Sequence, residues 1–192
     1  MAVGFYVDMY RCVGCKACQV ACKDKNRLEV GTNFRTVQTY SVGAFPHVAC
    51  YSFSQTCNHC ESPACLNACK AGAIRKAPDG TVLLDQDACV GCKRCVLACP
   101  YGHPKFIASL GVVGKCDGCA GLRQAGQLPA CVAACPTRAL DFGEMDALRK
   151  KYGSNLSEGS LAVLPNPSIT HPHILVHAKA SAADAGYRLV NW

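Results

Sequence analysis

Three kinds of segment are missing from this sequence of 192 residues. No stretch approaches the roughly 20 apolar residues of a transmembrane helix, so we expect no membrane span. Only eleven residues precede Cys12, they include Asp8, and no basic start leads into an apolar core, so we expect no signal peptide. No nucleophile with a nearby base, carboxylate pair or phosphate loop stands out. The chain is therefore expected to carry out no bond chemistry of its own.

Cysteine, in contrast, is abundant, with 17 residues. Sixteen of them fall into four clumps, and Cys50 stands apart. A secreted disulfide scaffold would disperse its cysteines through loops. Thiols two residues apart are poorly placed to pair with each other, and an odd total leaves one over. The clumps therefore indicate metal binding, and Cys50, which lies in a strand pattern, is interpreted as a buried, inert thiol.

The clumps form two kinds of motif that alternate along the chain. The first (Cys12 to Cys22) and the third (Cys89 to Cys99) have the spacing C-x2-C-x2-C-x3-C and agree at eight of eleven positions. The second (Cys57 to Cys69) has the spacing C-x2-C-x4-C-x3-C, and the fourth (Cys116 to Cys135) loops out between its two halves. In bacterial ferredoxins, three closely spaced thiolates bind one iron–sulfur cube and the fourth reaches another cube. The alternation predicts two ferredoxin modules in one chain.

Thiolates are soft ligands that suit iron–sulfur clusters, and sixteen of them are the complement of four 4Fe-4S cubes. Zinc sites usually combine two short Cys pairs across a longer loop, so a C-x2-C-x2-C-x3-C run is awkward for one tetrahedral ion. A zinc-bound scaffold, the alternative, would be colourless and free of acid-labile sulfide.

Acidic residues are scarce, with 13 Asp and Glu against 20 Lys and Arg, a net charge of +7. Such an excess would usually suggest nucleic acid or a membrane surface as partner. Four cubes of about −2 each would bring the chain close to neutral. We therefore read the basic residues as compensation for the clusters and expect no nucleic-acid partner.

The predicted fold class is α+β, with short hairpins inserted between the motifs. Alternation predicts a strand over residues 4–8 and a hairpin over residues 34–54, and Pro78-Asp79-Gly80 predicts a second hairpin. Residues 144–152 suit a short amphipathic helix. The proline-rich tail beyond it is expected to hold one strand over residues 174–176 and to run over a surface, its own or a partner's.

Several segments resemble the iron–sulfur (B) subunits of the dimethyl sulfoxide reductase family of molybdopterin oxidoreductases, closest to the dimethyl sulfoxide reductase branch. That family includes the B subunits of polysulfide, thiosulfate and nitrate reductases. The resemblance covers nearly the whole chain. Besides the four motifs, it rests on Pro78-Asp79-Gly80, Cys99-Pro100-Tyr101-Gly102, Lys115 to Cys119 and Ala139 to Gly143.

Motif spacing alone allows the four motifs to pair either as neighbours in sequence or in a nested way. The resemblance implies the nested pairing and four 4Fe-4S sites. It also implies nested domains: residues 1–35 and 110–143 form the first module, residues 36–109 the second, and residues 144–192 a C-terminal helix with an extended docking tail. The implied sites are site 1 (Cys12, Cys15, Cys18, Cys135), site 2 (Cys22, Cys116, Cys119, Cys131), site 3 (Cys57, Cys60, Cys65, Cys99) and site 4 (Cys69, Cys89, Cys92, Cys95).

The resemblance implies an electron-transfer subunit of anaerobic respiration, with site 1 next to a molybdopterin catalytic subunit and site 4 next to a quinol-binding membrane anchor. Nitrate-reductase relatives replace the residue matching Cys92 by tryptophan and hold a three-iron cluster, so Cys92 favours a fourth cube here. Lys23 and Lys70 depart from the pattern, because a ferredoxin run would end in proline at these positions. A free-standing soluble polyferredoxin, or a complex run as an oxidase such as formate dehydrogenase, is the alternative.

The expected location is peripheral at the cytoplasmic membrane, on the outer face after co-export with the catalytic subunit; the cytoplasmic face is the alternative. Among the remaining residues, His59 lies between two ligands. A backbone-bonded role is favoured over a hydrogen bond to a quinone or a partner. Basic residues beside ligands would either raise cluster potentials or be solvated or partner-facing charges, and both interpretations stay open. These residues are Lys16, Lys70, Lys93, Arg94 and Lys115.

Overall fold

The structure is a computed structural model and describes residues 2–190. Within these residues, eight of the ten strands have six residues or fewer, the other two form a long hairpin, and the six α-helices have between four and nine residues. The strands are β1 (Val3–Asp8), β2 (Arg35–Ala44), β3 (His47–Thr56), β4 (Ile74–Lys76), β5 (Val82–Leu84), β6 (Lys105–Ile107), β7 (Val112–Gly114), β8 (Leu140–Glu144), β9 (Ile174–His177) and β10 (Arg188–Val190). The helices are α1 (Ala17–Lys25), α2 (Ala64–Asn67), α3 (Arg94–Ala98), α4 (Ala120–Gln124), α5 (Ala130–Ala133) and α6 (Met145–Tyr152).

Most of the short helices begin at turns within the cysteine motifs. Lys16 and Lys93 stand just before α1 and α3 with left-handed backbone angles (φ of 61° and 60°). Pro63 and Pro129 stand just before α2 and α5. Proline lacks a backbone N–H, and the first N–H groups of a helix have no partner within the helix, so proline is tolerated there. The spacing of the ligands therefore sets where these helices begin.

The first sheet has the strand order β8-β1-β9, with β1 antiparallel to β8 and parallel to β9. Because side chains alternate across a strand, Phe5 and Val7 enter the main core while Tyr6 faces the other way. Tyr6 stacks on Tyr152 of α6 with ring centroids 3.6 Å apart. The predicted strand at residues 4–8, helix at 144–152 and strand at 174–176 are confirmed.

The second sheet, β10-β2-β3, contains the predicted long hairpin, and β4 and β5 form the predicted hairpin around Pro78-Asp79-Gly80. Val37 and Phe53 of the long hairpin pack in the same core as Phe5 and Val7. The division of the chain into residues 1–35 with 110–143 and residues 36–109 stays a prediction, but the long hairpin shares its core with the first of these units. A smaller core lies among β4, β5, β7 and the helices α2 and α3.

The C-terminal tail joins the first sheet through β9, and its role as a docking tail stays a prediction. Leu175 and Val176 of β9 are fully buried, because β9 pairs with β1 and their side chains fill both faces of that sheet. Just before β9, the tail crosses the second motif. The backbone carbonyls of Thr170 and His171 accept N–H groups of Ser62 and Glu61 at 3.0 and 2.8 Å. A tripeptide of apolar residues does not reveal in the sequence which strand it will join.

Within residues 2–190, none of the helices combines the length and the apolar character needed to cross a bilayer.

Candidate iron–sulfur centres

The cysteines of site 1 come from two distant parts of the chain. Cys12 and Cys15 precede α1, Cys18 lies in its first turns, and Cys135 follows α5. All four border one hollow that is open to solvent on one side. The fold therefore brings the first three cysteines of motif one to the last cysteine of motif four.

Sites 3 and 4 repeat this arrangement in the other half of the chain. One hollow of about 340 Å³ is bordered by Cys57, Cys60, Cys65 and Cys99. Another, of about 320 Å³, is bordered by the four cysteines of site 4. In the described part of the chain, no aspartate or glutamate borders these two hollows or that of site 1.

All four cysteines of site 2 are buried, and neighbouring thiols raise the pKa of Cys22 and of Cys116. Burial raises the pKa of Cys22 to about 11, Arg35 opposes the shift, and the neighbouring Cys131 and Cys119 add to it. Burial also raises the pKa of Cys116, and the charges of Cys57 and Cys22 increase that effect. Cys116 therefore lies near both its own group and site 3.

Short helices connect the sites in pairs. Residues four apart on a helix lie on the same face about 5–6 Å apart, so α1 presents Cys18 to site 1 and Cys22 to site 2. On α5, Cys131 belongs to site 2, and Cys135 follows it into site 1. Helices α2 and α3 repeat this relation between sites 3 and 4. With the approach of Cys57 to Cys116, the four groups lie in the order 1-2-3-4.

The chemistry of these positions suits iron–sulfur cubes. Backbone N–H groups approach the sulfur atoms, from Gly118 to Cys116 and from Ala139 to Cys135, both at 3.3 Å. Hydrogen bonds of this kind favour the thiolate, and a bound metal removes the thiol proton outright. In residues 2–190, no three His, Cys, Asp or Glu side chains converge closely enough to hold a single metal ion. The thiols surround hollows instead, as ligands of a multinuclear cluster must.

The basic residues beside the ligands separate into two classes. Lys70, Lys93 and Arg94 are exposed and Lys16 is partly buried. Lys115 is buried and donates to the backbone carbonyls of Val82 and Cys116. The structure favours the solvated reading for the exposed residues and the cluster-facing reading for Lys115.

Arg35 was missed by the sequence reasoning, although it is almost completely buried. The sequence does indicate its burial, because Arg35 stands two residues before Val37 in the alternating strand β2. It therefore shares the face that Val37 turns into the core.

The structure confirms the prediction for His59 but not the one for Cys50. His59 is fully buried and accepts the backbone N–H of Val82 on Nδ1 at 3.0 Å, so the predicted backbone-bonded role is confirmed. Cys50 is exposed, and the prediction of a buried thiol is wrong. It pairs with Ser41 near the end of the long hairpin, where residues 43–50 extend beyond the core. Strand alternation alone does not show where a hairpin leaves the core.

Comparison with protein families gives two matches. A 4Fe-4S dicluster domain matches residues 48–145, about half of the chain, and a 4Fe-4S binding domain matches residues 9–31. The B subunit of the anaerobic dimethyl sulfoxide reductase of Escherichia coli (strain K12) is 42% identical over 191 residues, covering 95% of this chain and 92% of the relative.

The chain therefore belongs to the family of dimethyl sulfoxide reductase iron–sulfur subunits. The corresponding reductase subunit of Haemophilus influenzae is 42% identical over 197 residues, covering 96% of this chain and 95% of that protein. The B subunit of the sulfite dehydrogenase of Allochromatium vinosum is 40% identical over 161 residues, covering 72% and 67%. As in this family, the chain is a non-catalytic iron–sulfur electron-transfer subunit with 4Fe-4S domains.

Proposed function

We propose that the chain holds four 4Fe-4S cubes, at sites 1 to 4, and relays electrons between a quinol-binding membrane subunit and a molybdopterin catalytic subunit. The observation that carries this proposal is the row of four cysteine groups in the order 1-2-3-4. Each group has the four thiols that a cube needs. When bound, the cubes supply one-electron redox chemistry.

The protein's own residues hold and insulate the sites. Four thiolates fix each cube, and the helices α1, α2, α3 and α5 keep neighbouring sites close. Burial of the middle sites excludes water. The shared helices keep the steps between sites short, and the exclusion of water limits side reactions with solvent.

The two ends of the row are its points of contact with partners. Cys15 of site 1 and Cys92 of site 4 are exposed. Val13 (67% exposed) and Val90 (72% exposed) stand at matching positions of the repeated motif. Apolar side chains beside an exposed ligand suit a surface that a partner covers. By family resemblance, site 1 faces the molybdopterin subunit and site 4 the quinol-binding subunit.

The proposed setting is anaerobic respiration, with the complex peripheral at the cytoplasmic membrane. The proposed face is the outer one, reached by co-export with the catalytic subunit.

The test is purification of the native complex from cell extract. We expect about sixteen iron atoms and sixteen acid-labile sulfides per chain, and molybdenum in stoichiometric amount in a co-purifying subunit. Gel filtration should show the chain only at the size of the complex. A holoprotein that runs as a monomer without molybdenum would instead establish a free polyferredoxin, and a colourless chain with zinc would overturn the cubes.

A further inference from the structure

A buried positive charge at the centre of the molecule has no carboxylate partner. Arg35 is 1% exposed, and its Nη1 donates to Ser54 Oγ at 2.8 Å. The atoms Nε and Nη2 are buried without a hydrogen-bond partner. Among residues 2–190, no carboxylate oxygen lies within salt-bridge distance of this guanidinium. The guanidinium lies over the ring of Phe5, 4.6 Å from its centroid.

Such an arrangement is strongly unfavourable unless an anion lies nearby, because a buried ion loses its hydration. The face of one aromatic ring offsets only part of that loss. Arginine cannot lose its proton in a protein, so Arg35 is charged in the folded state. The missing anion must therefore belong to whatever fills the neighbouring space.

The neighbouring space belongs to sites 1 and 2. The thiolates that act most strongly on Arg35 are Cys131, then Cys18, Cys116 and Cys22. Three of these four belong to site 2, and Cys18 belongs to site 1. Ser54 connects the two, because its Oγ lies 3.4 Å from Cys18 Sγ and also accepts the hydrogen bond from Arg35.

We propose that the Arg35 guanidinium is the fixed counter-charge of sites 1 and 2, and that it raises the reduction potential of site 2 most. This inference rests on the proposed function, since it needs cubes at these sites. The two nitrogen atoms of Arg35 without a partner, Nε and Nη2, are available as donors to cluster or ligand sulfur, which would satisfy both atoms. Adding one electron to a site makes it more negative by one charge, with no bond formed or broken. A buried cation stabilises that more negative state.

Arg94 provides a matched comparison within the same chain. It stands immediately before the site 4 ligand Cys95, but it is exposed. Water and salt screen an exposed charge, whereas a buried one acts through a medium of low dielectric constant. The same charge should therefore affect its cluster far less at residue 94 than at residue 35.

The experiment compares Arg35→Gln, Arg35→Lys and Arg94→Gln in the holoprotein by redox titration followed with EPR, using dithionite as reductant. The site 2 signal is the one that Cys22→Ser removes. In Arg35→Gln we expect the site 2 reduction equilibrium to shift at least tenfold toward the oxidised form. For one electron this is about 59 mV more negative. Site 1 should shift less and site 4 not at all. Arg35→Lys should stay close to wild type, and Arg94→Gln should shift site 4 by much less than tenfold.

Each other result has a defined meaning. An unmoved site 2 potential in Arg35→Gln, or an equal shift in Arg35→Lys, would overturn the inference. If Arg35→Gln loses the site 2 cube but Arg35→Lys keeps it with a potential close to wild type, the charge is what the site requires. Loss in both variants would show that packing, not charge, is the role of Arg35. Failure of the proposed function would appear separately, as missing iron and sulfide in the wild-type protein.

Discussion

The two end sites take three cysteines each from the first and third motifs, the two middle sites take three each from the fourth and second motifs, and the surroundings of the two pairs differ as well. Each end site has one exposed cysteine, Cys15 or Cys92, whereas neither middle site has any. The basic residues differ as well, because Arg35 is buried beside sites 1 and 2 and Lys115 is buried beside Cys116 of site 2, while Lys93 beside site 4 is exposed. In the proposed function, the end sites therefore contact partners, whereas buried charges adjust the potentials of the middle sites.

The tail accounts for part of this difference. Residues 170–173 are hydrogen-bonded to the loop of the second motif and cover site 3. The long hairpin contributes Arg35 and Ser54 beside sites 1 and 2. Segments without any cluster ligand thus contribute to the surroundings of sites 1, 2 and 3.

The largest expected effect is the loss of one middle cube in Cys22→Ser. Cys22 lies on the same helix as Cys18 but beside Cys131 and Cys119. We expect the site 2 EPR signal to disappear, with about four fewer iron atoms per chain, while the site 1 signal remains. Cys50→Ser is the control and should retain all clusters, because Cys50 is exposed and lies outside every site. Loss of the site 1 signal instead would refute the nested pairing.

A second prediction concerns the two matching glycines of the end sites. Gly14 and Gly91 both have left-handed backbone angles (φ of 72° and 66°), so alanine costs about 1–2 kcal/mol at either position. An added Cβ at Gly14 would meet the movable hydroxyl of Ser52 at 2.6 Å, whereas at Gly91 it would collide with the backbone carbonyl of Gly111. Gly91→Ala should therefore lower the thermal stability and the site 4 iron content more than Gly14→Ala lowers those of site 1. Equal losses would mean that backbone strain alone matters.

The third prediction is that the end cubes react faster with ferricyanide than the middle cubes. Exposed ligands such as Cys15 and Cys92 let a small oxidant approach, whereas the buried Cys116 and Cys131 do not. EPR spectra recorded during oxidation should show a severalfold difference in decay rates in the free holoprotein. The difference should shrink in the complete complex, where partners cover the ends. Uniform decay of all four signals in the free holoprotein would contradict the comparison.

The smallest expected effect is a pH dependence of the free energy of unfolding, caused by His173 in the tail segment that covers site 3. Burial and the charge of Lys76 lower the pKa of His173, although Glu61 opposes them. Below the unfolded value of about 6.5, the unfolded chain takes up a proton that the folded protein resists. The free energy of unfolding should therefore fall as the pH falls through about 6.5, by less than about 1.4 kcal/mol per pH unit. His173→Gln should flatten this dependence in denaturant midpoints, whereas the exposed control His47→Gln should not.

The local elements of the fold could be predicted from the sequence because their causes are local. Alternating side chains identified β1 and the long hairpin, Pro78-Asp79-Gly80 identified a turn, and charge with apolar spacing identified α6. Burial could not be predicted in the same way. Cys50 lies in a strand-like sequence, as does the tail strand β9. Cys50 is nevertheless exposed and β9 is buried, because burial depends on which distant segment covers a strand.

The sequence by itself determined the chemistry of this protein, since four clusters of thiols at ferredoxin spacing allow little besides iron–sulfur binding. It left the pairing of the motifs open and gave no reason to single out Arg35. Only the tertiary structure brought Cys135 to Cys12 and placed an unpaired guanidinium beside Cys131 and Cys18. The physical reason is that ligand type and spacing are properties of neighbouring residues. Proximity between distant residues, and the loss of water around a charge, arise only when the chain packs.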